Sequence, residues 1–345
     1  MLLLNRRNGG YSGIRTPEWK YVEHYNKNNE LELYDLVNDP YELENIVNIP
    51  AYSGIREQLA QRMRELLDES TPIPPPPPPP PELPDAILLL SSTTNGTVGG
   101  VNFADEDILA YDTTTGVWSM YFDGSEFGLG SSDINAFHQM DDGSLLFSLD
   151  RPVTLDNLGR VDDSDILRYV PASSDGLNPA YLEWYFDGSA VGLTTAAEDI
   201  DAIAVLEDGR LVVSPIADGA RVPINDAVTR VRDEDLIAFT GETGANTTGT
   251  WELFFDGSDI GLTAGSEDIN AVNVAPDGTL YLSTYGKFKL IGGLSGTKSD
   301  ILACVPDGIS TGLDSNCEDG LGIFVLGSDI GFQKESIDGL QVILP

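Results

Sequence analysis

The chain is poor in two residue types that often build catalytic and metal centres. Its 345 residues include two cysteines and two histidines. That count excludes a disulfide framework and leaves one local bridge, between Cys304 and Cys317, as the pairing the sequence allows. Such a bridge would persist in an exported protein and not in a reducing cytoplasm. His24 and His138 are isolated in sequence, so neither predicts a metal site.

Basic residues are also scarce, with 19 Lys and Arg against 56 Asp and Glu. The formal net charge of −37 repels phosphate backbones and anionic membrane surfaces. We therefore expect no nucleic-acid partner. Most of the acidic excess follows residue 70.

Long apolar runs are missing as well. The run at residues 2–4 is too short for a signal-peptide core and is followed, not preceded, by basic charges. No later stretch approaches membrane-spanning length. The chain as given is expected to carry no signal peptide and to make no membrane insertion.

The sequence does contain a repeat, of which segment 251–262 is the clearest copy. It recurs at 118–125, at 184–189 and, in a more divergent form, at 324–331. A second motif precedes each copy and begins at Asp107, Asp165, Asp235 and Asp300. Four copies with variable spacing indicate a repeat architecture.

One repeat contains four strand patterns, at 235–240, 251–256, 269–274 and 280–284. Asp-Gly pairs follow two of them and are expected to form hairpin turns. Four antiparallel strands per unit describe a propeller blade. Three of the repeat copies contain a tryptophan: Trp118, Trp184 and Trp251. We expect these residues to occupy the same position in their blades and to pack between blades. The alternative is that they are exposed and stack on sugar rings.

The two ends of the repeat region predict how it closes. The last repeat supplies strands at 301–305, 322–326 and 340–344 but no fourth, whereas segment 86–92 stands alone at the front. Pairing these ends would remove open sheet edges. The fold class is therefore mainly β, a four-bladed β-propeller over 86–345 closed by strand 86–92 pairing with the last blade. A linear stack of repeats is the alternative, and it leaves segment 86–92 unexplained.

Residues 1–70 predict a small α+β subdomain of different character. Alternating patterns at 19–25 and 31–36 indicate a hairpin with its turn at 26–29. Helical spacing follows, with Ser53 as the expected N-cap; its apolar positions are Ile55, Leu59, Met63, Leu66 and Leu67. Residues 71–85 form a linker whose proline run, 74–81, is a stiff spacer or a ligand for a proline-binding module.

A family resemblance rests on residues 13–16, residues 19–21 and the continuous run 32–46. These motifs resemble the C-terminal subdomain of arylsulfatases, a family of sulfuric ester hydrolases, over residues 10–70. The resemblance implies a small antiparallel sheet closed by the last helix. In that family the subdomain normally packs against a large catalytic domain. We therefore expect a face near Trp19 and Tyr21 to be exposed here, and residues 1–70 to be protease-sensitive.

The catalytic part of that family lies upstream of this subdomain. Its nucleophile is a Cys or Ser in a C/S-x-P-x-R signature, followed by ligands for a calcium ion. The one similar segment here, 304–308, has Gly308 where Arg is required. We therefore expect no catalytic residue in this chain, which would be the C-terminal fragment of a sulfatase-like parent.

The repeats at 86–345 also resemble acidic arrays of secreted bacterial proteins. This likeness implies an extracellular or periplasmic location for a full-length parent. It leaves open a second function, a non-enzymatic module that binds glycans or cell-surface proteins.

Acidic clusters at the strand starts supply hard oxygen ligands of the kind Ca²⁺ prefers. The candidate ligands are Asp105, Asp107, Asp163, Asp165, Asp233 and Asp235. The alternative is that these side chains satisfy backbone donors in turns and keep the protein soluble. None of the clusters completes an EF-hand loop.

Overall fold

The computed structural model describes residues 2–6, 10–24, 30–70, 83, 85–175, 177–224, 227–305, 317 and 320–345. The predicted turn at 26–29, the proline run at 74–81 and most of segment 304–308 lie outside these residues. The structure is mainly β, with 44% strand and one α-helix. It separates into two compact units, Met1–Pro81 and Glu82–Pro345.

The first unit is a four-stranded antiparallel sheet with one helix. Its strands lie in sequential order: β1 (Leu2–Arg6), β2 (Tyr11–Arg15), β3 (Trp19–His24) and β4 (Leu31–Asp35). The predicted hairpin is therefore present, and two further strands precede it. Helix α1 (Ser53–Ser70) follows a 3-10 turn, Pro50–Tyr52.

Two predictions for this unit were wrong in detail. Ser53 has helical backbone angles, φ −58° and ψ −40°, so it continues the 3-10 turn into the helix and is not the N-cap. Tyr21 is buried in the core with Ile14, Leu33 and Met63, because the helix covers this face of the sheet. Trp19 packs at the edge of the same core.

The second unit contains four large antiparallel sheets, here called sheets 1 to 4, each with four principal strands. Sheet 1 has the order β28-β5-β8-β9, which are Ile337–Ile343, Ile87–Ser92, Ile108–Asp112 and Val117–Phe122. Sheet 2 has the order β10-β11-β14-β15, which are Ile134–Gln139, Leu145–Leu149, Ile166–Val170 and Tyr181–Phe186.

Sheets 3 and 4 repeat this arrangement. Sheet 3 has the order β16-β17-β20-β21, which are Ile200–Val205, Leu211–Pro215, Leu236–Glu242 and Thr248–Phe255. Sheet 4 has the order β22-β23-β26-β27, which are Ile269–Val274, Leu280–Thr284, Ile301–Cys304 and Gly322–Val325.

In the chain, a hairpin follows the second principal strand of every sheet and precedes the third. The strands are β6 (Gly96–Val98) with β7 (Val101–Phe103), β12 (Val153–Leu155) with β13 (Gly159–Val161), β18 (Arg221–Ile224) with β19 (Ala227–Arg230), and β24 (Phe288–Lys289) with β25 (Ser295–Gly296). Strand β18 also makes one parallel pairing to β21, which extends sheet 3 at its edge. Short 3-10 turns occur at Gly124–Phe127, Ser189–Val191, Gly257–Ile260 and Ile291–Gly293.

The predicted grouping of strands into one unit was wrong by half a repeat. The strands at 236–242 and 248–255 belong to sheet 3 with the two strands that precede them, whereas those at 269–274 and 280–284 begin sheet 4. Sequence periodicity defines the length of a repeat but not where the repeat begins. Hydrogen bonding between neighbouring strands decides that.

The segment that stands alone at the front pairs with the end of the chain. Strand β5 is antiparallel to β28, with Ile87 opposite Ile343 and Leu90 opposite Leu340. This pair lies in sheet 1, so one strand from the C-terminus and three from the start of the unit form that sheet.

Four apolar clusters fill the spaces between sheets. Leu89 and Phe147 share a cluster joining sheets 1 and 2, and Ala136 and Val213 share one joining sheets 2 and 3. The remaining clusters join sheet 3 to sheet 4 and sheet 4 to sheet 1. Burial of this apolar surface is the main stabilising contribution to the unit.

Candidate functional site

The second Asp of each predicted acidic cluster joins a turn to a neighbouring strand. Asp107, Asp165 and Asp235 each accept one hydrogen bond from a backbone N–H within the turn and a second from the glycine of the following Asp-Gly pair. In the last repeat Asp300 accepts equivalent bonds from the N–H groups of Thr297 and Gly327, although Leu326 and not Asp precedes this glycine. Both carboxylate oxygens thus have donors, as the turn alternative requires.

The Asp-Gly pairs whose glycines donate these bonds do not form hairpin turns, contrary to expectation. Asp123 and Asp256 instead begin short 3-10 turns. Their glycines lie so close to backbone that a Cβ atom at Gly257 would be 2.1 Å from the carbonyl oxygen of Glu234, and one at Gly188 would be 2.1 Å from that of Ser164. Only glycine permits this approach.

The other set of Asp-Gly pairs does connect adjacent strands. Gly143, Gly209 and Gly278 have φ of 82°, 86° and 88° between the first two strands of sheets 2, 3 and 4. A positive φ of this kind is the turn chemistry that the dipeptide predicts.

Strands β28, β10, β16 and β22, one from each sheet, pack against one another and are here called the innermost strands. The first Asp of each predicted cluster lies beside one of three of them, β10, β16 and β22. The backbone carbonyls of Asp105, Asp163 and Asp233 accept hydrogen bonds from Ile134, Ile200 and Ile269. The Asp163 carboxyl also contacts that of Asp199, and burial together with the Asp163 charge raises the pKa of Asp199 to about 7. The six predicted ligands therefore divide into two sets with different surroundings.

Polar side chains link the innermost strands to one another. Asn135 on β10 donates from Nδ2 to the Ile200 carbonyl oxygen at 3.0 Å and to Asp201 Oδ1 at 3.0 Å on β16. Asn270 on β22 donates to the Ile337 carbonyl oxygen on β28 at 2.9 Å. Two of the four neighbouring strand pairs are thus joined by an asparagine side chain.

The other two pairs are joined by facing carboxyl groups. The Asp133 and Asp338 side chains are within hydrogen-bonding reach, and so are those of Asp201 and Asp268. Burial raises the pKa of Asp133 to about 8, with the Asp105 charge adding to the rise. Burial, followed by the Asp201 and Asp233 charges, raises the pKa of Asp268 to about 10. Burial also raises the pKa of Asp338 well above its usual range.

Sequence reasoning did not single out Asp133, Asp201 or Asp338. Their signal was the recurring Asp-Ile-Asn or Asp-Ile-Asp tripeptide at 133–135, 199–201 and 268–270. Among the described residues, no group of three or more His, Cys, Asp or Glu side chains converges in a metal-binding arrangement. The proposed calcium ligands therefore remain a prediction.

The three tryptophans do not share one position, so that expectation was wrong. In the strand register, Trp118 is opposite Tyr111 and Trp251 is opposite Phe239. Trp184 is opposite Leu167. The residues that match Trp184 in sheets 1 and 3 are therefore Met120 and Leu253. Counted back from Asp-Gly, Leu182 is the true counterpart. Trp118 and Trp251 are buried, and Trp184 is partly buried.

Cys304 and Cys317 form a disulfide in the structure, with Cα atoms 5.3 Å apart. Both are buried in the cluster between sheets 3 and 4. The bridge therefore attaches residue 317 to strand β26.

In the first unit, the polar residues of run 32–46 hold an irregular loop. Asn45 Oδ1 accepts from the N–H groups of Leu33 and Val47 at 3.0 and 3.1 Å. Glu42, with a φ of 57°, forms ion pairs with Arg15 at 2.7 Å and Lys20 at 2.5 Å. These bonds all lie within the first unit. The polar residues of run 32–46 are therefore explained by their role in holding this loop.

The same loop presents apolar side chains to the outside of the unit. Tyr41 and Leu43 are 81% and 84% exposed, and Val37 is 66% exposed. These three residues, and not Trp19 or Tyr21, form the exposed apolar surface of the loop.

Comparison with known families confirms the resemblance of this unit. Residues 7–69 match the family described as N-sulphoglucosamine sulphohydrolase, C-terminal. The solved structure of BT4656 in complex with its substrate D-glucosamine-2-N,6-O-disulfate is 30% identical, with a TM-score of 0.17. The match covers 19% of this chain and 14% of that chain, so the chain spans a small part of the length of BT4656.

Propeller-like structures are similar to the chain over a longer range. Regucalcin from Agrobacterium tumefaciens, a calcium-binding protein, is 11% identical with a TM-score of 0.26, covering 91% of this chain and 70% of that chain. Streptogramin B lyase is 10% identical with a TM-score of 0.26, covering 66% and 67%. No curated protein matches the sequence. No helix among the described residues has the length and apolar character needed to cross a membrane.

Proposed function

We propose that this chain is the C-terminal part of a sulfatase-like protein, in which residues 1–70 complete a catalytic domain and 86–345 form an accessory propeller. The family match at 7–69 carries the proposal. The exposed Val37, Tyr41 and Leu43 support it, because an apolar loop surface held by internal ion pairs suits contact with a further domain.

Catalysis would reside in the longer parent. The sequence given has neither the C/S-x-P-x-R nucleophile signature nor the metal ligands that such chemistry needs. From the likeness to BT4656, the substrate class of the parent is a sulfated glucosamine. An extracellular or periplasmic location fits both this substrate class and a disulfide between Cys304 and Cys317.

The second unit is proposed to be a four-bladed propeller in which each sheet is one blade. The links between innermost strands support a ring, since they run from β28 to β10, β16, β22 and back to β28. The four apolar clusters follow the same cyclic order. Strand β28 pairing with β5 would close the ring.

Closure can be tested by deleting residues 336–345. If β28 closes a ring, its loss exposes the edge of β5 and abolishes cooperative unfolding of the unit. A synthetic 336–345 peptide should restore it. A truncated chain that retains the full melting temperature would instead support a linear stack.

The sulfatase proposal is tested by determining the DNA and transcript upstream of the Met1 codon. We expect an in-frame C/S-x-P-x-R signature. The longer product should then release sulfate from N- or 6-O-sulfated glucosamine, and a variant with Ala at the nucleophile should not. An upstream stop codon with no such frame would contradict the proposal.

The alternative function is a non-enzymatic module that binds glycans or surface proteins. Exposed aromatic residues of the second unit favour it, since Tyr121, Tyr181 and Tyr285 are 41%, 47% and 58% exposed and aromatic rings stack on sugars. A glycan array probed with the chain would test this function. Binding that persists after all three tyrosines are changed to serine would exclude these residues as the site.

A further inference from the structure

Four buried carboxyl groups on or next to the innermost strands each have an oxygen with no hydrogen-bond donor. These atoms are Asp133 Oδ1, Asp201 Oδ2, Asp268 Oδ1 and Asp338 Oδ2. The four residues are 8%, 1%, 5% and 0% exposed. A buried carboxylate without a donor is costly, so each group needs a proton or a cation near it.

Basic side chains do not meet this need among the described residues. No ion pair there joins Lys or Arg to any of the four. Arg151 is the basic residue whose charge acts on Asp133, but its guanidinium is bound to Asp150 and is 60% exposed.

The two facing pairs differ in the neutral oxygens beside them. The hydroxyls of Ser132 and Ser336, which lie close to Asp133 and Asp338 in the chain, are buried and have no hydrogen-bond partner. The hydroxyl of Ser92, which is opposite Ile337 in the pairing of β5 with β28, is also buried without a hydrogen-bond partner. The residue matching Ser336 in the other pair is Asp199, whose carboxyl contacts Asp163. The residue matching Ser132 there is Glu267, whose carboxylate is used by three backbone N–H groups.

We propose that Asp133 and Asp338 bind one divalent cation of the Ca²⁺ type between strands β28 and β10. Two carboxylates and several neutral oxygens are the donor set that Ca²⁺ takes, with water and backbone carbonyls completing six to eight ligands. Ser91 supports this geometry, because its hydroxyl is bonded to Asp338 Oδ1 and leaves Oδ2 available. The cation would join the strand from the C-terminus to the first strand of sheet 2.

The site does not coincide with the ligands that sequence patterns suggest. Asp107, Asp165 and Asp235 use both oxygens for backbone donors. Asp105 acts on Asp133 through its charge. The proposal is also independent of the sulfatase relationship, since its residues all lie in the second unit.

The test uses the whole chain, stripped of metal with a chelator, and calorimetric titration with CaCl₂. About 0.2 M KCl screens the general attraction of a chain of charge −37 for cations. We expect one Ca²⁺ per chain and a melting temperature that rises with Ca²⁺ concentration, because the cation binds the folded state.

Three variants assign the site. Asp338→Asn and Asp133→Ser should each weaken Ca²⁺ binding at least about tenfold, because a charged ligand is lost. Serine is the residue that the last repeat has at the position of Asp133, so this variant keeps a native-like side chain if Asp338→Asn folds poorly. Asp201→Asn, in the other pair, is the matched control and should keep wild-type affinity.

Two results would overturn the proposal. One is that the wild-type chain binds no Ca²⁺ and Asp338→Asn is at least as stable as the wild type. This result would indicate that Asp338 and Asp133 share a proton, because an amide can replace a carboxyl in such a pair. The other is Ca²⁺ binding that all three variants weaken equally, which would indicate diffuse attraction by the acidic surface.

Discussion

Trp118 donates a hydrogen bond from Nε1 to the backbone carbonyl oxygen of Ile330 at 2.9 Å, although the two residues are 212 positions apart. The bond connects sheet 1 to the loop that follows sheet 4. Trp251 makes the equivalent bond to Val191 at 3.1 Å, from sheet 3 to the loop after sheet 2. Trp184 instead donates to Leu158, in the hairpin of its own sheet.

We therefore expect Trp118→Phe to destabilise the second unit by about 2 kcal/mol, because buried volume and one hydrogen bond are lost. Trp184→Phe should cost less than about 1 kcal/mol, since Trp184 is partly buried and its bond is local. Urea unfolding monitored by circular dichroism would compare them. Equal losses would mean that Trp118 does not join sheets 1 and 4.

Asp235→Ala is expected to lower the free energy of unfolding by about 3 kcal/mol, because the N–H groups of Arg232 and Gly257 lose a charged acceptor. The exposed Asp277, which accepts from Thr279 in a hairpin turn, provides the control, and Asp277→Ala should cost about 1 kcal/mol or less. Both should be measured with Ca²⁺ and with chelator. A loss for Asp235→Ala that appears only with Ca²⁺ would support this residue as a metal ligand.

Gly257→Ala should cost about 3 kcal/mol or prevent folding, since its Cβ would lie 2.1 Å from a backbone oxygen that cannot move aside without breaking the turn. At Gly322 a Cβ meets nothing within 4 Å, so Gly322→Ala should change stability by less than about 1 kcal/mol. Thermal unfolding of both variants checks this. Similar melting temperatures would contradict the close approach.

His138 gives the stability a predictable pH dependence. Burial lowers the pKa of His138 to about 4, below its ordinary value of 6.5, so the folded protein keeps the ring neutral. As the pH falls below 6.5 the unfolded chain takes up a proton that the folded chain does not. The stability lost by pH 5 should reach about 2 kcal/mol.

The third repeat has Asn273 at the position of His138, so His138→Asn is a native-like comparison. The difference in unfolding free energy between wild type and variant should shift in favour of the variant between pH 7 and pH 5. A difference that stays constant over this range would show that His138 does not stay neutral in the fold.

Reduction of the Cys304–Cys317 bridge should lower stability by about 2 to 3 kcal/mol, since a short loop regains its freedom in the unfolded chain. The variant with both cysteines changed to serine should unfold like the reduced protein and should no longer respond to reductant. Mass spectrometry of the intact chain would show the two hydrogens gained on reduction. No change in mass would contradict the pairing.

The sequence determined many of the elements that depend on local chemistry, although it did not predict strands β1 and β2 or the 3-10 turns. Strand patterns placed most of the principal strands, helical spacing from Ile55 to Leu67 placed the helix, and the run 32–46 identified the family of the first unit. These signals are local, because side-chain periodicity and turn residues act within a few positions of the chain.

What only the tertiary structure decided are the relationships between distant segments. It moved the repeat boundary by half a unit and brought Asp133 to Asp338. Such contacts depend on which strands exchange hydrogen bonds and on which carboxyl groups are buried together. A repeating pattern carries no information on either, because each copy looks the same wherever the repeat is taken to begin.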